Sequence, residues 1–301
     1  MIVSASYKTD IPAFYAEWFL NRLEAGRARM VNPWGGQVHT VDLRPGACDG
    51  FVFWTKNAGP FMEALAEVEA RGFPFVVQYT LTGYPRALET SVVSSGRSVE
   101  LMRRIAGRYG PRAVVWRYDP VILTSLTPPD WHRRQVEHLA RALKGTSDEV
   151  VFSFAHVYRK TRRNTDRAAA RHGFTWRDPP EAEKRALLGE LAEIAAGEGI
   201  RPTLCAQPEL LEGALFSGLE AARCIDAGRL SDVAGRAIAA PTKGNRPGCF
   251  CAEARAIGAY DTCPHGCVYC YAVQRPAIAK HRYRDHDPAA EFLAPPAGQA
   301  D

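Results

Sequence analysis

Continuous apolar runs recur along the chain at residues 1–6, 50–55, 73–79, 113–118 and 149–154, with a weaker one at 200–205. None alternates with polar residues as a half-solvated sheet does, so each reads as a strand buried on both faces of a parallel sheet. Between them, apolar positions recur at helical spacing, which predicts amphipathic helices over 14–25, 61–70, 98–108, 129–143 and 180–196. Gly72, Gly110 and Gly199 fall just ahead of the next run, where a left-handed helix cap is common. The rhythm predicts an α/β fold: a partial or full TIM-like βα barrel of about six parallel strands. A doubly wound open sheet is the alternative.

Two segments depart from this rhythm. Residues 26–44 read as an inserted hairpin, with a turn at Pro33-Trp34-Gly35-Gly36 and a strand-like alternation over 37–43. From Gly228 the βα alternation stops, and residues 241–248 form a Pro/Gly-rich linker. We therefore expect a βα domain over 1–240 and a cysteine-rich, cluster-binding segment over 241–301. The stretch from Gln274 through Pro295-Pro296 reads as a strap and a disordered end.

Composition narrows the class. The 301 residues are 46% hydrophobic and 24% charged, and the net charge is +5. These are the values of a globular chain long enough to bury a sizeable core. The one dense basic run, residues 159–163, reads first as a solvated loop or helix start, and only secondarily as a nucleic-acid face. The first ten residues lack an apolar signal region, and no stretch has the ~20 apolar residues of a membrane span. A cytoplasmic chain without a membrane partner is the expectation, and its eight cysteines then read as metal-binding or redox groups, not a disulfide framework.

In a parallel βα fold, sites form at the C-terminal ends of the strands. The runs end in Ser4 and Ser6; Trp54, Lys56 and Asn57; Gln78, Tyr79 and Thr80; Arg117, Tyr118 and Asp119; Ser153 and His156; and Cys205 and Gln207. Lys56 beside Asp119 could bind a carboxylate or phosphate. Arg117 and Asp119 could serve as an anion clamp and a general base, or form a local ion pair. His156 is a candidate acid or base. Gln78 and Arg117 are candidates for orienting a cofactor.

The chemistry concentrates near the C-terminus, where Cys263, Cys267 and Cys270 stand at C-x3-C-x2-C spacing with Tyr269 just before the third. Three thiolates on one loop can hold three irons of a [4Fe–4S] cluster and leave the fourth open, whereas zinc sites usually pair two short clips. Gly266 lets the loop turn sharply. Cys249, Cys251, Cys205 and Cys224 could hold a second cluster or a zinc, or Cys205 and Cys224 could be core thiols. Cys48 reads as a small apolar residue.

This loop resembles the cluster motif of radical S-adenosylmethionine enzymes. Over nearly its whole length the chain resembles an uncharacterised bacterial family, domain of unknown function 1848. That likeness rests on Ser4-Ala5-Ser6, Phe53 to Asn57, Gln78 to Thr80, Arg117 to Pro120, Phe154 to Lys160 and the cysteine loop. The first resemblance implies Cys263, Cys267 and Cys270 as cluster ligands with Tyr269 beside them, and a six-strand βα partial barrel. In most of that superfamily the loop follows the first strand, whereas here it follows the sixth, and no glycine-rich acidic segment for the methionine amino group is evident. The reading is an iron–sulfur enzyme using S-adenosylmethionine, a small polar substrate and an electron donor. Its rivals are a non-radical Lewis-acid enzyme, an electron-transfer or cluster-sensing protein, and a zinc-binding nucleic-acid module.

Overall fold

The computed structural model describes residues 1–32, 35–213, 216 and 218–294. In chain order the strands are β1 (Ile2–Ala5), β2 (Arg27–Val31), β3 (Val38–Asp42), β4 (Gly50–Thr55), β5 (Phe75–Thr80), β6 (Val114–Val121), β7 (Leu123–Thr124), β8 (Glu149–Phe154), β9 (Trp176–Arg177), β10 (Arg201–Leu204), β11 (Glu220–Ala221) and β12 (Ala254–Ala256). The α-helices are α1 (Ile11–Phe14), α2 (Ala16–Glu24), α3 (Met62–Ala70), α4 (Ser95–Tyr109), α5 (Pro129–Leu143), α6 (Arg159–His172), α7 (Glu181–Gly197), α8 (Pro208–Leu211), α9 (Ala227–Ala234) and α10 (Pro276–Arg284).

Eight strands form one sheet in the order β11-β10-β8-β6-β5-β4-β1-β12. Every neighbouring pair is parallel. All six apolar runs are strands of this sheet. The two further strands, β11 and β12, are too short to carry a periodic signal, and their pairing with β10 and β1 makes them strands. Spatial order follows chain order except that the last strand lies beside the first. Among the described residues β11 and β12 share no ladder, so the architecture shown is a mixed α/β fold around a parallel eight-stranded sheet.

One sheet face packs against the helices, burying Val3, Phe51, Phe53, Phe75, Val77, Trp116, Val150 and Phe152 beneath Trp18, Phe19, Leu65, Leu101, Val136 and Leu188. The helices form because their apolar positions fall on one stripe. In α5, for example, His132, Val136, Leu139, Ala140 and Leu143 are buried. Helix α6 escaped the periodic reading because it buries Thr161, Asn164, Thr165 and Ala168 in place of large apolar residues. The basic run at 159–163 is its first turn and a half.

The inserted segment is an antiparallel hairpin pairing β2 with β3; Pro33 and Trp34 of its expected turn lie outside the described residues. The C-terminal strap docks on α2: Trp18 Nε1 donates to the Ala290 carbonyl (2.9 Å), Asn21 to Pro288 (3.0 Å) and Arg22 to Ala289 (2.8 Å). Pro295 and Pro296 lie outside the described residues. No helix among the described residues is long and apolar enough to cross a membrane.

His132 carries a testable consequence of this core. It is fully buried, accepts from Tyr118 OH at Nδ1 (2.8 Å), donates from Nε2 to the Ile122 carbonyl (3.2 Å), and burial lowers its pKa from 6.5 to about 4. The unfolded chain therefore binds a proton at higher pH than the native protein does. This contribution to stability is complete above pH 6.5, is lost progressively below it, and is gone near pH 4. Over that window the loss is about 3 kcal/mol. Denaturant titrations from pH 7 to 4 should show it, and His132→Gln should flatten that part of the profile. An unchanged profile would place the acid sensitivity elsewhere.

Candidate functional site

The second sheet face builds the site. Alternation along the strands and the ladder register put Ile2, Val52, Val76, Val115 and Val151 on one face, staggered from strand to strand, where they form an apolar cluster. One pleat further toward the strand C-termini, the same face carries Ser4, Trp54, Gln78, Arg117 and Ser153. The change from Val and Ile to polar residues at this level is the rim expected from sequence.

Arg117 is the centre of this layer. It is buried, its guanidinium lies 4.9 Å from the Trp54 ring centroid, and Nη1 donates to Gln78 Oε1 (3.2 Å) and to the Cys224 sulfur (2.9 Å). Nη2 donates to Asp119, which also accepts from Ser153 Oγ. Burial pushes the Asp119 carboxyl up, but the Arg117 charge and the hydrogen bonds from Ser153 and Arg117 more than reverse this, leaving it below the usual carboxylate range. Of the two readings of Arg117 and Asp119, the structure shows the local ion pair, and the pair holds Asp119 ionised. Gln78 Nε2 donates to the Cys224 carbonyl (2.9 Å), so its amide is committed to the interior.

The cysteine loop is fastened above the strand ends. Val268 N donates to the Leu88 carbonyl (3.0 Å), Ser91 N to the His265 carbonyl (2.9 Å), and Tyr15 OH to the Thr262 carbonyl (2.6 Å). His265 Nε2 bonds Asp10 Oδ2 (2.8 Å), and Asp10 also caps α1 through Ala13 N (2.9 Å) and accepts from Lys56 N (2.7 Å). Gly266 has φ +72°, the left-handed conformation its place before Cys267 required. Cys263, Cys267 and Cys270 are half-buried free thiols. Burial pushes all three up in pKa, Cys267 is drawn back by the Lys56 charge, and it also feels both other loop thiols, so the three lie in one electrostatic neighbourhood.

Lys56 stands where sequence placed it, but its partner is one sequence reading missed. Its Nζ donates to Glu89 Oε1 (2.8 Å), which also accepts from Thr82 Oγ1 (2.8 Å) and from Tyr269 OH. Glu89 is buried at 3% exposure. Burial raises its pKa, yet the Lys56 charge and the three donors bring it below the ordinary range. Asp119 adds a weaker attraction at Lys56. Glu89 also lines a cavity of about 200 Å³ with Thr80, Thr82, Tyr84, Arg86 and Ser94. Glu89, Thr82 and the Asp10–His265 pair sit in loops without periodicity, so no sequence signal marked them.

His156 Nε2 is buried without a hydrogen-bond partner, and burial followed by the Arg246 charge lowers its pKa. In the basic helix start, Lys160 lies 5.7 Å from the Tyr260 ring, Arg163 donates to the Gln274 carbonyl (2.8 Å), and Arg159 and Arg162 are exposed. Cys48 is buried at 3% exposure with its thiol pushed up to about 11, in keeping with a packing role. Cys205, Cys224 and Cys251 lie in the apolar cluster of this face with Cys249 packed against it, apart from the loop cysteines. As the side chains stand, no three of His, Cys, Asp and Glu among the described residues close on a single ion.

No curated protein matches the chain. Among solved structures, a D-hydantoinase is 10% identical with a TM-score of 0.29, over 68% of this chain and 41% of that one. The D-hydantoinase from Bacillus sp. AR9 is 14% identical with a TM-score of 0.30, over 62% and 43%. The chain thus spans under half the length of either. A family model matches residues 2–272, nearly the whole chain, and the protein belongs to the family described as Domain of unknown function (DUF1848).

Proposed function

We propose that the chain is an iron–sulfur enzyme of the radical S-adenosylmethionine type, with a [4Fe–4S] cluster held by Cys263, Cys267 and Cys270. The observation that supports this most is the donor set. One loop brings three thiols together, and the imidazole between them, His265, is turned away into its bond with Asp10. Three protein ligands leave one iron open. A four-iron cluster spreads its ligand sulfurs farther apart than a single ion does, so thiols that do not close on one ion are compatible with it.

The cluster, once bound, supplies one-electron chemistry toward a ligand on its open iron; the protein supplies binding and electrostatics. Lys56 places a cation beside Cys267 and favours its thiolate. Glu89 fixes both Lys56 and the Tyr269 hydroxyl, which holds the loop against the strand ends. Asp119, kept ionised by Arg117, offers a hydrogen-bond acceptor. The cavity beside Glu89 suits a small polar substrate, with Ser94 and Arg86 as donors.

Anaerobic purification with iron and sulfide counting tests this, followed by electron paramagnetic resonance of the reduced protein with and without S-adenosylmethionine. About four irons per chain and a spectrum altered by the cofactor are expected, with iron lost in Cys267→Ala. Iron with an indifferent spectrum would favour Lewis-acid or electron-transfer chemistry. A chain that takes up no iron, even after reconstitution, would overturn the proposal.

A further inference from the structure

Four other cysteines come from three distant parts of the chain: Cys205 follows β10, Cys224 follows β11, and Cys249 and Cys251 precede β12. We propose that they form a metal centre of their own, a tetrahedral zinc–thiolate site on the interior sheet face. This proposal does not depend on the loop cysteines.

Two of the sulfurs are already in contact: Cys205 Sγ and Cys224 Sγ are 3.5 Å apart, and Cys251 Sγ is tied to the same segment by the bond from Ile225 N, the residue after Cys224. Four thiolates around zinc at about 2.3 Å lie about 3.8 Å from one another, so the measured separation is near the edge of a single tetrahedron. As the side chains stand, no three of these sulfurs close on one point. Completing the tetrahedron would take a rotation of the Cys249 side chain toward the other three sulfurs. The segment bearing Cys249 is held close to Cys205: Gly248 has φ +72°, and a Cβ there would meet Pro208 Cδ at 2.6 Å.

Charge is the second, independent observation. Core thiols in an apolar layer need no cation. Here Arg117 Nη1 donates to Cys224 Sγ at 2.9 Å and Arg246 Nη2 to Cys205 Sγ at 3.7 Å, while Ile225 N donates to Cys251 Sγ at 3.3 Å. Zinc with four thiolates carries two net negative charges, and two guanidiniums balance them. Donors directed at ligand sulfurs are the outer partners such centres use.

The test uses the full chain and a Cys263→Ala/Cys267→Ala/Cys270→Ala variant, in which the loop cannot bind metal. Elemental analysis should find about one zinc per chain in both, released on titration with an organomercurial thiol reagent. Cobalt reconstitution of the triple variant should give the visible bands of tetrahedral thiolate coordination. Adding Cys224→Ser should cut bound zinc at least tenfold, while Cys48→Ser should leave it unchanged. Should Cys224→Ser fail to fold, the cobalt spectrum of the triple variant still decides. A folded triple variant with neither zinc nor cobalt bands overturns the proposal, as does one holding iron and sulfide at these cysteines. Zinc retained in a wild-type chain that takes up no iron would separate this site's success from failure of the loop cluster.

Discussion

Replacing Arg229 with methionine is expected to lower the free energy of unfolding by about 3 kcal/mol, within the range for removing one partner of a buried pair. Arg229 is 2% exposed on α9, and its guanidinium bonds Asp148 (2.7 Å), Glu149 (2.6 Å) and the Arg112 carbonyl (3.0 Å). Glu149 is itself buried. Methionine fills the volume but leaves Glu149 short of a cation in a desolvated site. The loss is held near the low end because Glu149 keeps Arg201 (2.9 Å) and Thr203 (2.9 Å), and Asp148 keeps Arg112 (2.7 Å). This cluster lies at the start of β8, the end of the sheet remote from the cysteine loop. Iron in the proposed loop cluster should therefore be unchanged, and the urea midpoint should fall at constant m-value. A loss below about 1 kcal/mol would mean that the remaining cations compensate fully; lost iron would mean that the two ends of the sheet are coupled.

The second large effect is expected at Lys56. Its side chain is 13% exposed and that of Glu89 3%, and the two bond at 2.8 Å. Lys56→Met leaves Glu89 with Thr82 and Tyr269 as donors but no cation. A cost of about 3–4 kcal/mol at neutral pH is expected. The sign of the pH dependence separates this from a packing defect. In the native protein the Glu89 pKa lies below its ordinary value of 4.5, so its stabilising contribution is present above pH 4.5 and is lost as pH falls through the lower folded value. Without Lys56, burial dominates and the folded pKa rises above 4.5. The destabilisation of K56M should then be largest at neutral pH and should shrink as the solution is acidified and Glu89 takes up a proton. Glu89→Gln in the K56M background should recover part of the loss, and a double-mutant cycle should give a coupling of about 2 kcal/mol. A K56M deficit that stays constant with pH would show that Lys56 contributes packing alone. On the proposed cluster, removing the cation beside Cys267 should also weaken retention of iron by the loop.

Both substitutions act through partners whose legibility in the sequence differs. Asp148 and Glu149 directly precede and open an apolar run, yet Arg229 lies some eighty residues away, and no local pattern links it to them. Lys56 was readable as a strand-end lysine, but Glu89 was not. It sits in a loop where neither spacing nor composition distinguishes it from a solvated carboxylate. Lys56 was read as a rim residue beside Asp119, and the carboxylate it bonds is Glu89.

What the sequence determined by itself is what depends on short-range periodicity. Six apolar runs became six strands, because a strand buried on both faces must be apolar throughout. Five amphipathic stretches became helices α2, α3, α4, α5 and α7. The change from Val and Ile to Ser, Trp, Gln and Arg marked the rim because register repeats every second residue. The C-x3-C-x2-C spacing likewise needed no fold to be seen. Tertiary structure alone decided the rest. Strands β11 and β12 exist only through pairing with β10 and β1, and α6 is a helix although its buried face is small and polar. Cys205 and Cys224, which follow β10 and β11, meet only because those two strands pair. A contact between residues far apart in sequence leaves no trace in local pattern: its stabilisation arises only after the chain has bent back and desolvated both partners.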